Sequence, residues 1–341
     1  MRMEKTGQKE RITWIDVAKC LGIFAIYIGH FGADAGLLYS FLFQFHLPLF
    51  FFLSGCVQIF HQRSFLDNLK VVTKRLLVPF FFFGLLYLGV MAIHENRTEG
   101  LPEHLLTLAK GATRNQFPAG SLWFLTCLWV MDMIFPLMRK LKPVLLAMIA
   151  LAIQVITIKV LNPCPLFDPR LWYNIDSAFC YFVYYLLGYV LVQPIQKLLA
   201  SESRKGQIGK HVAGILCLIY AAYVFVSRAE FISPLYWNLP GYDMFGTLLH
   251  YLTMCFAVIY VAWWLKDLAS LQSIGRDTLY LCGNENLLKL AVPIAAQMIG
   301  LPITLFSPLA VVLYSALLIL VARYTVIPLE KRLLSRWTGG R

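Results

Sequence analysis

Apolar runs of about 20 residues recur from one end of the chain to the other, and each is long enough to cross about 30 Å of hydrocarbon as a helix. No other feature narrows the fold as far. Composition agrees: of 341 residues, 59% are hydrophobic and 14% charged, with a mean hydropathy of +0.66, whereas a soluble domain carries about 25% charged residues. The chain reads as an all-α polytopic membrane protein, a bundle of about ten transmembrane helices near residues 13–31, 37–60, 72–93, 119–138, 143–160, 175–195, 211–228, 243–265, 278–299 and 303–325. Residues 1–341 are expected to form a single integral-membrane domain with no appended soluble domain.

The positions of the basic residues say more than their net charge of +12. With the N-terminus inside, the inner segments hold 22 Lys and Arg and the outer loops six. Such an asymmetry orients a membrane protein with its basic loops in the cytoplasm. It places both termini there and makes the chain a multi-pass membrane protein. The basic balance is therefore a topology device, with membrane lipids as expected partners and nucleic acid not among them; a second duty towards a phosphorylated ligand fits it too. The basic N-tail followed by an apolar run and "ADA" at 33–35 imitates a cleaved signal peptide. Asp16 and Lys19 interrupt the start of that run and a second span follows at once, so it is read as retained. Seven of the eight cysteines fall in or beside apolar runs and read as small buried hydrophobes. No Cys or His spacing suggests a metal, and none is expected. The outer loops include an amphipathic stretch at 102–110, a proline-rich loop at 160–174 and an aromatic one at 229–243.

Two spans carry chemistry. In the first, Asp16, Lys19, Ile23, Tyr27 and His30 share one helix stripe, and Lys19 and His30, eleven residues apart, face the same way about 16 Å from each other. Ionisable groups at such depth cost about 2.5–3.5 kcal/mol each. Their alignment favours a function over a snorkelling lysine and an interfacial histidine. The second span, "LLYSFLFQFHLPLFFFLSGCVQIF", brings His46 and Pro48, whose ring leaves the carbonyl of Gln44 without its helical donor. A broken helix at depth points to a cavity. Ser54-Gly55 offers a small polar patch where another helix or a ligand approaches closely. Farther on, Glu285 and Lys289 lie at i, i+4 in an otherwise apolar run, either as an internal ion pair or with Asn284 and Glu285 lining a substrate pocket. His250 and Asp132 are read first as satisfied polar groups between helices.

"RITWIDVAKCLGIFAIYIGH" followed by "FQFHLPLFFFLSG" resembles the membrane acyltransferase family 3, bacterial integral-membrane O-acyltransferases. The matching positions are Arg11, Asp16, Lys19, His30, His46, Pro48, Phe51, Phe52, Ser54 and Gly55. Looser likenesses are "KRLLVPF", "SLWFL" at 121–125 and "IGRDTLYL". Many relatives carry a histidine after the last of these, where this chain has Gly283-Asn284-Glu285-Asn286.

The resemblance implies transfer of an acyl group, acetyl by expectation, from cytoplasmic acyl-CoA to a hydroxyl of an extracytoplasmic acceptor such as a cell-surface glycan or lipid-linked sugar. On that basis His30, His46, Lys19 and Asp16 are the expected catalytic residues. Arg11, Lys74, Arg75 and Ser54 are expected to hold the acyl-CoA, and Trp123, Asn284 and Glu285 the acceptor. His30 is the expected general base; His46 orients it or donates, with Ser54, to the oxyanion; Asp16 fixes Lys19 or reaches Arg75. Direct transfer and a covalent acyl-enzyme both fit. A transporter or flippase using the same intramembrane Asp, Lys, His and Glu residues as a proton relay is the alternative.

Overall fold

The computed structural model describes residues 11–61, 63–95, 100–114, 116, 118, 120–161, 168–228, 244–305 and 307–338. Helices account for nearly all of them. In chain order they are α1 (Thr13–Gly29), α2 (Leu37–Phe43), α3 (His46–Cys56), α4 (Phe65–Val72), α5 (Val78–Glu95), α6 (Leu101–Ala109), α7 (Trp123–Met138), α8 (Pro143–Ile156), α9 (Ile175–Leu199), α10 (Arg204–Val226), α11 (Met244–Trp264), α12 (Ala269–Arg276), α13 (Thr278–Met298), α14 (Pro308–Val321) and α15 (Ile327–Thr338). Local chemistry sets several of their starts. The hydroxyls of Ser64, Ser203 and Ser307 accept from backbone N–H groups in the first turns of α4, α10 and α14. Pro143 and Pro308 take first-turn positions, where their missing N–H has no partner to lose.

Among the described residues, seven helical stretches are long and apolar enough to cross a membrane: Leu37–Phe60, Phe65–His94, Pro143–Leu161, Trp172–Leu199, Arg204–Val226, Phe245–Trp264 and Pro308–Ser335. The other three expected spans fall short for separate reasons. α1 has 17 residues and carries Asp16 and Lys19. α7 has 16 residues. α13 is longer but contains Asn284, Glu285, Asn286 and Lys289. These three shorter or more polar helices all supply residues to the site described below. The expected amphipathic stretch at 102–110 is α6, lying against α5, where Leu108 fills the space left by Gly84. Residues 162–167 of the 160–174 loop and all of 229–243 lie outside the described residues.

α1 occupies the middle of the bundle and touches α2, α3, α11, α12, α13 and α14. Thirteen of its seventeen residues are buried, as befits a helix that is apolar all round except for one polar stripe. At the periphery, α10 buries only Lys210, Gly214, Ala221 and Val224, so most of its apolar surface is left for lipid. The tightest crossing joins α3 to α9. A methyl group on Gly55 would meet the carbonyl of Tyr185, and one on Gly188 the carbonyl of Phe52. The small patch at Ser54-Gly55 thus admits a helix.

Gly188→Ala is therefore expected to lower the thermal unfolding temperature of the detergent-solubilised protein, at a cost of about 1–3 kcal/mol for overpacking. Gly89→Ala, where nothing lies within 4 Å of the added carbon, is expected to leave stability unchanged or raise it by up to about 1 kcal/mol through helix propensity. Equal responses in differential scanning fluorimetry would contradict this packing.

Candidate functional site

The buried carboxylate of Glu285 on α13, fully shielded from solvent, gathers three elements. Its Oε1 accepts from Nδ1–H of His30 at 2.7 Å and from Nζ of Lys289 at 2.8 Å, and its Oε2 accepts from the hydroxyl of Ser121. A carboxylate only accepts, so the imidazole donates through Nδ1, and in the neutral ring its Nε2 carries the lone pair. His30 follows the last turn of α1, and its side chain is one-third exposed, into a cavity of about 990 Å³. Nearby contacts lock the arrangement. Tyr27, one turn before His30, donates to the carbonyl of Leu281 at 2.8 Å, and the Cys282 thiol donates to the carbonyl of Ser121. Gly120 has a positive φ of 44°, and a methyl group there would collide with Asn286. That close approach brings Ser121 to α13.

The second histidine stands where α2 ends and α3 begins. Pro48 was expected to open the helix at the carbonyl of Gln44. The break lies at Gln44–Phe45, where Phe45 has φ −145° and ψ −27°, and Pro48 sits in the first turn of α3, a position that tolerates it. His46 Nδ1–H donates to the carbonyl of Leu42 at 2.8 Å, satisfying the C-terminal end of α2. Its Nε2 is buried without a partner and the residue lines the cavity. The two imidazole rings stand 6.4 Å apart and nearly perpendicular. In the neutral ring, both histidines therefore offer Nε2 as an acceptor. His46 in this tautomer has no proton for an oxyanion, contrary to one of its expected roles. Ser54 is similarly engaged: its hydroxyl donates to the carbonyl of Phe50 at 2.7 Å.

From His30 the cavity follows the α1 stripe to Lys19, past Ile26 and Ile23. Tyr27, on the edge of the stripe, turns into α13 instead. At the Lys19 end the expected partnerships are exchanged. Asp16 pairs with Arg11, accepting at 2.5 and 2.9 Å, rather than with Lys19 or Arg75. Arg75 pairs with Asp132 at 2.5 Å, whose other oxygen accepts from Tyr185 at 2.6 Å and Gln58 at 2.8 Å. Lys19 lines the cavity with no carboxylate at ion-pair distance among the described residues. Arg11, Arg75 and Arg276 line the same end.

The cavity therefore brings together Arg11, Asp16, Lys19, His30, His46, Ser54, Arg75 and Trp123 of the residues expected from sequence. Two lie elsewhere. Lys74 is exposed outside the cavity, because it shares a widened turn, Thr73–Leu77, with Arg75 and only one of two neighbours faces inward. Asn284 turns to the opposite side of α13, donating to Glu330 at 2.7 Å and to the carbonyl of Tyr280 at 3.0 Å. Its neighbour Asn286 lines the cavity in its place. Glu285 stands behind His30 rather than in the cavity wall. His250 bridges Tyr220 and Gln44 at 2.7 and 2.8 Å, a satisfied group between helices. Sequence reasoning missed Ser121, Arg114 and Asn286. The signal for Ser121 was its place at the head of "SLWFL", read as a family likeness without a role for the hydroxyl. Among the described residues no group of His, Cys, Asp and Glu could hold a metal ion.

A family model described as an acyltransferase domain matches residues 12–322, nearly the whole chain. No curated protein and no solved structure matches it.

The Asp132 hub should behave as one unit. Asp132→Ala is expected to cost about 1–3 kcal/mol of stability, because it leaves Gln58 and Tyr185 without their buried acceptor while the partly exposed Arg75 loses its partner. Arg75→Ala added to that variant should cost far less than Arg75→Ala alone. Additive losses in a thermal double-mutant cycle would show that the two side chains act separately.

Proposed function

The chain belongs to the membrane acyltransferase family 3, and on that premise we propose that it moves an acyl group, acetyl by first choice, from cytoplasmic acyl-CoA to a hydroxyl of an extracytoplasmic or membrane-associated acceptor, a cell-surface glycan or lipid-linked sugar. In this reading α1, α7 and α13 complete ten spans, both termini lie in the cytoplasm of a bacterial inner membrane, and residues 1–341 form one acyltransferase unit. The Lys19 end of the cavity then opens to the donor and the His30 end to the acceptor.

One observation carries the reading: a single cavity runs from unpaired Lys19 to His30, whose Nδ1 is fixed by Glu285. Lys19, with Arg11 and Arg75 beside it, suits the phosphates of CoA by charge-assisted hydrogen bonding. The pantetheine arm lies along Ile23 and Ile26 and carries the thioester towards the histidines. His30 Nε2 takes the proton of the acceptor hydroxyl as its oxygen attacks the thioester carbonyl. Collapse of the tetrahedral intermediate breaks the C–S bond, and the imidazolium returns its proton to the departing CoA thiolate. Glu285 holds the ring in the required tautomer and stabilises the imidazolium, and Lys289 and Ser121 hold Glu285. Ser54 and Ser121 already donate their protons within the protein, which supports direct transfer over an acyl-serine. The family match favours this enzyme over a proton-relay transporter.

Three variants assayed for CoA release from labelled acetyl-CoA test the assignment. His30→Ala should lower kcat by about 10²–10⁴-fold, the usual worth of a general base, while the protein stays monodisperse. Glu285→Gln should lower kcat and leave the KM for acyl-CoA unmoved. Lys19→Gln should do the reverse, raising that KM roughly tenfold to a hundredfold for the loss of a charged hydrogen bond worth about 1.5–3 kcal/mol. Near-normal turnover in His30→Ala would overturn the proposal.

A further inference from the structure

A second cation stands in the cavity at the end away from Lys19, and the mechanism above gives it no task. Arg114 lies in the segment between α6 and α7 and lines the cavity, beyond Trp123. Its guanidinium stacks over the Trp123 ring, 4.6 Å from the centroid. It has no carboxylate at ion-pair distance among the described residues, and its Nη1 is buried with no hydrogen-bond partner. The Arg114 side chain also hydrogen-bonds Tyr181, and its unpaired Nη1 is left for a planar or tetrahedral anion.

The backbone under Arg114 is built to hold it there. Asn174, wholly buried, accepts from the Arg114 backbone N–H at 2.8 Å. The same side chain donates to the carbonyls of Gly111 and Ala112, at 3.1 and 3.2 Å, and to the Thr126 hydroxyl at 2.9 Å. Ala112 is forced to a positive φ of 47°, a conformation that a residue with a β-carbon adopts at a cost. A strained segment pinned by a buried asparagine fixes one guanidinium position in advance. The buried polar atom it leaves unpaired is costly unless a ligand completes it.

From this the geometry points to a specificity site: Arg114 binds a carboxylate or phosphate carried by the acceptor, close to the hydroxyl that is acylated. The word acceptor rests on the acyl-transfer reading; the anion site does not. The donor's phosphates have their own cations at Lys19, Arg11 and Arg75, at the opposite end of the stripe. His46 Nε2, the other unpartnered polar atom of this cavity, would accept from a neighbouring hydroxyl of the same ligand. An anionic sugar satisfies both groups, and a neutral one leaves the Arg114 charge without a counter-ion.

The test is equilibrium binding to the full chain in lipid nanodiscs with CoA present, using labelled glucuronate, glucose 6-phosphate and glucose as probes. At least one anionic probe is expected to bind about tenfold or more tighter than glucose, as a charged hydrogen bond provides. Arg114→Gln should erase that preference and leave glucose binding and CoA binding within about twofold of wild type. Arg114→Lys, which keeps a point charge without the fork, should give an intermediate preference and guards against a folding defect in the glutamine variant. No preference in the wild type, or a preference that survives Arg114→Gln, overturns the proposal. So does a loss of CoA affinity in Arg114→Gln as large as that in Lys19→Gln, since the anion would then belong to the donor. A parallel assay with labelled acetyl-CoA separates the two claims. Absent acyl transfer alongside Arg114-dependent anion binding would remove the acyltransferase reading and keep the anion site.

Discussion

A carboxylate buried among apolar helices must be paired or it destabilises the bundle, and Glu285 meets that demand with three donors from three parts of the chain. His30 comes from the end of α1, Ser121 from the turn before α7 and Lys289 from α13 itself. The pairing draws together the three helices that are too short or too polar to count as simple spans. What looks like damage to each span separately is one polar junction when they are assembled. The imidazole it orients is the only one of these groups that also faces the cavity with a free acceptor nitrogen.

The same economy of charge runs along the α1 stripe. Asp16 and Asp132 each face a partner arginine, and Glu285 faces Lys289, so the carboxylates at the cavity are all matched. Three cations are left over among the described residues, Lys19 and Arg276 near one end and Arg114 near the other. A cavity with paired walls and a surplus cation at each end suits two anionic ligands that meet near the histidines. Close helix crossings keep this geometry fixed: α12 approaches α1 where Gly275 faces the Asp16 carbonyl, and α3 approaches α9 at Gly55 and Gly188.

Much of the site was legible in the sequence because it lies on one helix. The 100° periodicity put Asp16, Lys19, Ile23 and His30 on one face, and they line one cavity. Its resolution failed at the stripe's edge, where Tyr27 turned into α13 and Ile26 took its place. Local chemistry announced the break before His46 and put it at Gln44, where α2 ends; what it did not show is that Pro48 would sit in the first turn of a new helix, α3, rather than in the interior of one continuous helix. Partners distant in sequence were beyond reach. His30 and Glu285 are 255 residues apart, and nothing at i, i+4 distinguishes a Glu285 that pairs only with Lys289 from one that also holds a histidine. The widened turn at Thr73–Leu77 decided between Lys74 and Arg75, and such a turn leaves no composition signal. Arg114 was counted only as an outer-loop charge, because its stacking on Trp123 and its anchor on Asn174 are tertiary.

The most direct measurement is a cryo-electron microscopy structure of the protein in nanodiscs with a non-transferable acyl-CoA analogue. The CoA phosphates should lie at Lys19, Arg11 and Arg75 and the acyl chain along the α1 stripe, with the carbonyl carbon placed so that a hydroxyl hydrogen-bonded to His30 Nε2 would have its oxygen about 3 Å from that carbon. A CoA bound outside this cavity, or one whose thioester points away from the two histidines, would contradict this mechanism.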